Sequence, residues 1–304
     1  MKTLDRRQLL GLGSAAAASL LACERKVDQT AEPRPAMPEP IKPTTPSQRR
    51  MPAIFVGHGA PMVSDDAEWM GLWGKWGAAL PKPTAILMIS AHWEQTPIAI
   101  GATRTVPLVY DFYGFPKKYY EVRYPAPGAP DLALRVKALL AGGGPVASVP
   151  DRGLDHGAYV PLLGMYPKAD VPVLQLSIPT LEPAALLALG RKLAPLRDEG
   201  VLIVGSGFLT HNLRAFDPSP TAKTMGWAVE FDAWCEQALT ARDLDRLARY
   251  RQEAPGVALA LPTHEHFVPL LVAAGAAAEP ADAVTYPITG LMWGSLSRRS
   301  VQFG

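Results

Sequence analysis

The sequence has little of what marks several common functional classes. Its 304 residues include only two cysteines, Cys23 and Cys235, too few for a disulfide framework or a cysteine-ligated zinc finger. Charged residues make up 19% of the chain and the formal net charge is +2, without the basic stripe typical of nucleic-acid binding. We therefore expect neither a disulfide-stabilised scaffold nor a nucleic-acid partner.

Three catalytic signatures are also missing. No pair of histidines four residues apart encloses a glutamate, as in zinc proteases. No Gly-x-Ser-x-Gly elbow indicates a serine hydrolase. Gly205-Ser-Gly207 is not followed by the residues that complete a dinucleotide-binding fingerprint.

The first 23 residues have the layout of an export signal. Arg6 and Arg7 precede a short apolar run that ends in small residues before Cys23. This run is too short to span a bilayer, which takes about 20 residues. The arginine pair followed by Leu9 and Leu10 resembles a twin-arginine signal, and the alternative is a Sec-type signal. We favour the twin-arginine signal because that route exports folded proteins and would let a metal be inserted before export. Leu20-Leu-Ala-Cys23 resembles a lipoprotein box. We predict export to the periplasm, with possible membrane anchoring through a lipidated Cys23.

Residues 24–50 are predicted to form a disordered linker, because six prolines lie among polar residues without apolar periodicity. Residues 51–304 are predicted to form one catalytic domain, since no repeat or second linker divides them. If Cys23 is lipidated, Cys235 is the only thiol of the mature chain, and we expect it to pack inside a helix.

Short apolar runs bounded by glycine or proline alternate with helical patterns along this domain. Such runs are typical of strands buried on both faces, and their alternation with helices predicts a mostly parallel sheet. We predict a single-domain, three-layer α/β fold with a mixed sheet, in which residues 284–288 and 297–303 add antiparallel edge strands. The other predicted strands are Ala53–Val56, Ala85–Ile89, Val171–Leu176 and Val201–Val204, and the predicted helices include Pro130–Leu140 and Pro183–Leu196.

All six histidines lie in short segments rich in glycine, proline or aromatic residues. His58, His92 and His211 each follow a predicted strand, His211 across a predicted turn at residues 205–207. Ligands of open α/β sheets bind beyond the carboxyl ends of the strands. We therefore expect these imidazoles to lie at one edge, where they could bind a divalent metal such as zinc or iron.

His264 and His266 precede a helix predicted to begin at Phe267. Two helical positions two residues apart differ by about 200° of rotation. At most one of these two histidines should therefore face the site.

Eight short segments carry further information, because they occur in a fixed order and cover nearly all of the predicted domain. They are Phe55–Met62, Ser90–Trp93, Asp111–Pro116, Tyr124–Gly128, Gly153–Gly157, Val173–Ser177, Thr210–Leu213 and Pro262–Phe267 with Pro269-Leu-Leu271.

Together these segments resemble the class III extradiol ring-cleaving dioxygenases, in the branch of the DOPA 4,5-dioxygenase-like proteins. The resemblance implies that His58, His92 and His266 hold one metal ion, Zn(II) or Fe(II), and that His211 is a further ligand or an acid/base. It implies that His156 contacts substrate or moves protons. His264 stands where the family usually has proline and is left outside the site.

The resemblance also implies an activity, the opening of a catechol-type aromatic diol by O2. Better-characterised members of the class use two histidines and one carboxylate, whereas this chain has His266 at the third position and Glu265 beside it. An all-imidazole site also suits zinc, which has no redox chemistry. The alternatives are a zinc-dependent hydrolase and a non-catalytic exported lipoprotein that binds metal or aromatic compounds.

Aromatic residues form two groups. Tyr110–Phe115 is expected either to wall an aromatic pocket or to pack in the core. Trp69, Trp73 and Trp76 lie at helical spacing and are expected in the core.

Overall fold

The computed structural model describes residues 50–219, 221–279 and 281–304. The predicted export signal, and the predicted linker apart from Arg50, lie outside these residues. In the described part, no helix has the length and apolar character needed to cross a membrane.

Within the described residues, the strands form one eight-stranded sheet and one small two-stranded sheet. The large sheet has the order β4-β3-β5-β2-β6-β1-β10-β7, and the small one pairs β8 with β9. The strands are β1 (Ala53–Gly57), β2 (Ala85–Glu94), β3 (Ala99–Ile100), β4 (Ala147–Ser148), β5 (Val173–Ile178), β6 (Val201–Gly207), β7 (Val284–Ile288), β8 (Leu291–Met292), β9 (Leu296–Ser297) and β10 (Ser300–Phe303).

The middle of the large sheet is parallel. β5, β2, β6 and β1 run in one direction, while β10 and β7 add antiparallel pairs at one side. At the other side, β3 is antiparallel to β5, and the two-residue β4 is parallel to β3. The prediction of a mostly parallel mixed sheet with antiparallel C-terminal strands is confirmed.

The helices cover both faces of the sheet. They are α1 (Ala67–Ala79), α2 (Pro130–Leu140), α3 (His156–Met165), α4 (Pro183–Leu193), α5 (Pro195–Asp198), α6 (Gly226–Thr240), α7 (Leu244–Ala248), α8 (Tyr250–Glu253), α9 (Val257–Ala260) and α10 (Pro269–Ala276), with 3-10 turns at Pro61–Asp65, Lys117–Tyr120 and Leu213–Ala215.

Side chains alternate between two cores because successive residues of a strand face opposite sides. Phe55 of β1 packs in the core shared with α2, α4, α6 and α10. Its neighbours Ile54 and Val56 pack in the core shared with α1 and α3. Trp69, Trp73 and Trp76 lie in this second core, as predicted. The layers are therefore helix, sheet and helix.

Local sequence explains several helix ends. Asp66 and Asp155 cap α1 and α3 by accepting hydrogen bonds from backbone N–H groups. Proline occupies an early position in α2, α4 and α10, where its missing N–H costs nothing. The single helix predicted over Pro183–Leu196 is wrong: α4 ends at Leu193, and Pro195 begins the separate α5, because proline cannot continue a helical hydrogen-bond ladder.

All four predicted parallel strands extend beyond their predicted carboxyl ends, and β5 begins at Val173 rather than Val171. The extensions of β2 and β6 bear on the site. β2 continues to Glu94, so His92 lies within the strand rather than beyond it. Gly205-Ser-Gly207 belongs to β6 and forms no turn. The reason is pairing on both sides, since Gly207 is in register with Gly57 of β1 and Ser206 with Ser90 of β2.

One buried ion pair, between Arg197 and Asp282, lies beside both the first strand and the last strand of the described residues. The Arg197 guanidinium contacts the Asp282 carboxylate through two hydrogen bonds of 2.7 Å. It also donates to the backbone carbonyls of Met51, Ala276 and Phe303. Burial would raise the pKa of Asp282, but the hydrogen bonds and charge of Arg197 hold that pKa below its usual value.

Candidate metal centre

Five of the six histidines line one cavity of about 430 Å³ at the carboxyl edge of the parallel strands. His58 follows β1 directly, His92 lies near the end of β2, and His156 begins α3. The other two are His211, in the loop after β6, and His266, in the turn before α10. The predicted position of the site at this edge matches the cavity.

His264 does not line this cavity. Its ring lies beside Tyr250, with the ring centroids 5.5 Å apart. Residues 264–268 form turns, and the helix begins at Pro269 rather than at Phe267. His264 and His266 therefore do not occupy helical positions, and only His266 of the pair lines the cavity.

A glycine lets His266 approach the sheet. The Phe208 N–H donates to the His266 carbonyl at 2.9 Å, which fixes the turn against the end of β6. A Cβ on Gly207 would lie 1.9 Å from that carbonyl oxygen. Only glycine at this position leaves room for the contact.

The donor atoms form two neighbouring groups. The first contains His58, His92 and His156, and the second contains His211, Glu265 and His266; within each group the ligand atoms lie within 4.8 Å of one another. The ring centroid of His266 is 5.4 Å from that of His58 and 4.9 Å from that of His92, so the two groups face one space.

The His58 imidazole has a fixed tautomer. Its Nδ1 lies 3.0 Å from Ser206 Oγ, and the Ser206 hydroxyl donates its one proton to the Gly157 carbonyl. Ser206 must therefore accept from His58 Nδ1–H. The Nε2 lone pair of His58 is then free and lies 3.1 Å from His92 Nε2.

Asp111 orients two further imidazoles from the loop between β3 and α2. Its Oδ1 accepts from His156 Nδ1 at 2.8 Å and from the His156 backbone N–H at 3.1 Å. Its Oδ2 lies 3.3 Å from His92 Nδ1. Burial would raise the pKa of Asp111, but the His156 hydrogen bond and the neighbouring imidazoles hold it below its usual value. The ionised carboxylate thus directs both Nε2 atoms away from itself.

Glu265 orients His266 in the same way. His266 Nδ1–H donates to Glu265 Oε1 at 2.9 Å, and Thr263 Oγ1 donates to the same oxygen at 3.0 Å. His266 Nε2 is buried and has no hydrogen-bond partner. An unpartnered buried acceptor of this kind fits a metal ligand. The His211 ring stacks on His266 at a centroid distance of 3.4 Å.

Burial keeps these imidazoles neutral. Burial and the neighbouring histidines lower the pKa of His58 and of His266 well below the usual value. Burial, then His156, lowers the pKa of His92 to about 3 although Asp111 opposes this. Burial lowers the pKa of His211 to about 4, against the effect of Glu265. Neutral imidazoles are the form that binds a metal, so the donor set fits one divalent ion.

The remaining cavity wall is largely apolar. Phe112, Tyr113 and Phe115 line the cavity, whereas Tyr110 does not and donates instead to the Val122 carbonyl. The expected aromatic segment therefore divides between the pocket wall and the interior. The wall also includes Gly59, Ala60, Pro61, Phe208, Leu213, Phe216, Trp293 and Leu296.

The sequence alone does not predict the roles of Asp111 and Ser206, which orient the imidazoles. Asp111 stands out in the sequence only as part of an ordered segment, and Ser206 only as part of the predicted turn. The feature of the sequence that could have indicated Asp111 is its position directly before two aromatic residues, Phe112 and Tyr113. Nothing in the sequence indicates that Ser206 lies beside His58, because their contact depends on the pairing of β1 with β6.

Comparison with known proteins identifies relatives over most of the chain. Residues 53–290 match the family described as the catalytic LigB subunit of aromatic ring-opening dioxygenase. A 4,5-DOPA dioxygenase extradiol from Escherichia coli K12 is 42% identical over 272 residues, covering 87% of this chain and 98% of the relative. One from Beta vulgaris is 44% identical over 237 residues, covering 76% of this chain and 88% of the relative.

A solved structure supports the same relationship. The crystal structure of an uncharacterized protein from Escherichia coli K12 superposes with a TM-score of 0.73 at 39% identity. The match covers 84% of this chain and 100% of the solved chain.

Proposed function

This chain belongs to the LigB family of aromatic ring-opening dioxygenases, and we propose that it opens a catechol ring beside the two hydroxyls at the cluster of five imidazoles. It is a metal-dependent extradiol dioxygenase. Both atoms of O2 enter the ring-opened semialdehyde, one in the new carboxylate and one in the aldehyde. The observation that supports the assignment of the site is the proximity of three imidazoles in one cavity. Nε2 of His58 lies 3.1 Å from Nε2 of His92, and the His266 ring centroid lies 5.4 and 4.9 Å from the centroids of these two rings.

We assign His58, His92 and His266 as metal ligands, with His211 as a fourth ligand or as an acid/base. The support is that each of the first three has its Nδ1 beside an oxygen, of Ser206, Asp111 or Glu265. Such outer contacts fix the tautomer and strengthen the ligand. His211 has no such contact among the described residues, since only its backbone N–H donates, to Ala260.

Iron is the proposed native metal. When bound, Fe(II) supplies a redox-active template for a catechol and O2, which zinc does not. The four neutral imidazoles suit either ion, so the support for iron is the ring-opening chemistry of the family rather than the donor set.

His156 is proposed to handle the catechol proton. Its Nδ1–H is held by Asp111, which leaves Nε2 to accept a proton from a bound hydroxyl. The adjacent Asp111 carboxylate then stabilises the imidazolium. A base positioned in this way contributes about 10²–10⁴-fold to the rate. His211 is the alternative base, because it also lines the cavity.

The activity test uses the purified protein loaded anaerobically with Fe(II). After addition of a catechol and then air, we expect a yellow semialdehyde and the uptake of one O2 per catechol. If zinc-loaded protein instead hydrolyses an ester or amide while the iron form cleaves no catechol, the protein is a zinc hydrolase and the proposal is wrong.

The metal ligands are tested separately by metal content. We expect His58→Ala and His266→Ala to lose the bound ion, and His264→Ala to retain it, since His264 lies outside the cavity. Full metal content in His58→Ala would contradict the ligand assignment. If His264→Ala also binds metal more weakly, loss of metal in the other variants would reflect a general loss of structure rather than removal of a ligand.

We also propose that the chain is exported by a twin-arginine signal and lipidated at Cys23. The support is the sequence of residues 1–23. Fractionation of cells expressing the full chain should place it in the periplasmic membrane fraction. We expect Cys23→Ala to release it in soluble form and replacement of Arg6 and Arg7 by lysine to retain it in the cytoplasm. Export of the lysine variant would contradict the twin-arginine assignment.

A further inference from the structure

Apart from the histidines and Asp111, the residues that line the cavity are largely apolar. They include Phe112, Phe115, Phe208, Phe216 and Trp293. Among the described residues that line the cavity there is no lysine or arginine, and the one carboxylate, Asp111, already serves His92 and His156.

The apolar surface continues to the mouth of the cavity. Tyr113 is 92% exposed and Leu213 is 63% exposed, and both line the cavity. A substituent that extends from the ring toward solvent therefore passes apolar side chains first. A cavity of about 430 Å³ lies in the range that accepts molecules larger than a bare ring.

Two cations next in sequence to cavity-lining segments, Lys118 and Arg214, are not among the described residues that line the cavity. Glu265 adds a second carboxylate beside His266. Lys118 is paired with Asp65 at 2.5 Å, and Arg214, which follows Leu213 in the same 3-10 turn, does not line the cavity. Burial of an unpaired charge is costly.

We propose that the preferred substrate is a catechol whose ring substituent is uncharged and apolar, such as an alkyl or aryl group. This inference rests on the proposed function. It distinguishes the chain from what the names of its relatives state, since DOPA carries both an ammonium and a carboxylate group. Selectivity arises because an apolar substituent gains burial against the aromatic wall, whereas a charged one loses hydration without a partner.

The test compares catechols of similar shape and different charge on the Fe(II)-loaded protein. 4-Propylcatechol is uncharged, 3-(3,4-dihydroxyphenyl)propanoate is anionic, and DOPA is zwitterionic. We expect kcat/KM for 4-propylcatechol to exceed that for each of the other two by at least about tenfold. A ratio of this size corresponds to the modest cost of burying one polar group without a hydrogen-bond partner. Equal or higher kcat/KM for the propanoate or for DOPA would overturn the proposal.

Two variants at the mouth sharpen the comparison. Leu213→Arg places a cation on the cavity wall at a largely exposed position, and we expect it to raise kcat/KM for the propanoate relative to 4-propylcatechol by about tenfold. Arg214→Gln is the matched control and should leave the ratio unchanged. A selective loss of propanoate turnover in Arg214→Gln would show that Arg214 already recognises anions, and would refute the inference.

Binding separates this inference from the proposed function. If no catechol is cleaved, the dioxygenase proposal fails, but anaerobic calorimetry on the same metal-loaded protein still ranks the three compounds. We expect 4-propylcatechol to bind at least about tenfold more tightly than the propanoate. Equal affinities would refute the apolar preference whatever the turnover result.

Discussion

Replacement of Asp111 by asparagine is the sharpest test of how the imidazoles are oriented. Asp111 Oδ1 accepts two hydrogen bonds from His156, so the asparagine oxygen should occupy that position. The amide NH2 group then faces Nδ1 of His92, which lies 3.3 Å from Oδ2 in the native protein. Two donors would meet, and His92 can relieve the conflict by moving its proton to Nε2.

That change of tautomer turns a metal ligand into a donor. Loss of such an orienting partner typically lowers metal affinity by about 10- to 100-fold, equivalent to ~1.4–2.7 kcal/mol. The measurement is competition with a chromophoric chelator for zinc or, without oxygen, for Fe(II). We also expect kcat to fall at saturating metal, because His156 loses the carboxylate that stabilises its protonated form.

Asp151→Asn provides the matched control, since Asp151 is an exposed carboxylate paired with Arg104. It should bind metal as the native protein does. Native metal affinity in Asp111→Asn, with the protein folded, would refute the assignment of Asp111 as the group that orients His92.

Two further substitutions probe packing and stability. We expect Gly157→Ala to lower both the free energy of unfolding, by about 1–3 kcal/mol, and the metal affinity, because a Cβ there would lie 2.4 Å from Ser90 Oγ and 2.9 Å from the His92 ring. We expect Asp282→Asn to destabilise the fold by about 3 kcal/mol, since it leaves Arg197 buried without its counter-charge. Because the pKa of Asp282 is lowered in the folded protein, its contribution is complete above its usual pKa. The difference between native and variant should therefore shrink as the pH falls below about 4.

Urea denaturation at several pH values measures both effects. Gly71→Ala is the control for the glycine substitution, because nothing lies within 4 Å of a Cβ at that helical position. Native metal affinity in Gly157→Ala would contradict the crowding argument. A loss of stability in Asp282→Asn that grows toward low pH would contradict the lowered pKa of Asp282 in the folded protein.

The sequence predicted the order of strands and helices because apolar runs and prolines act locally. It was less reliable where tertiary pairing decides. The extension of β6 through Gly207 depends on β1 and β2 lying on either side of it. Pro195 itself indicates the helix break before it, but the leucine pattern continues across this position and favours one longer helix.

The site was predictable only in part, because local sequence patterns place the strand ends but not the contacts between distant segments. Strand-end positions indicated where His58 and His211 would lie, and a family resemblance suggested what they do. Asp111 lies in a long loop without regular structure, so no periodicity indicated its contact with His92 and His156. The role of Ser206 follows from hydrogen-bond accounting around a single hydroxyl, which requires coordinates.

Both edges of the large sheet are poorly suited to further pairing. At one edge β4 has only two residues, and at the other β7 contains the exposed Pro287, which has no N–H to donate. Short edge strands and prolines prevent a sheet from adding strands of another molecule. If copies of this chain associate, we therefore expect them to meet through helices or loops rather than through a continuous intermolecular sheet.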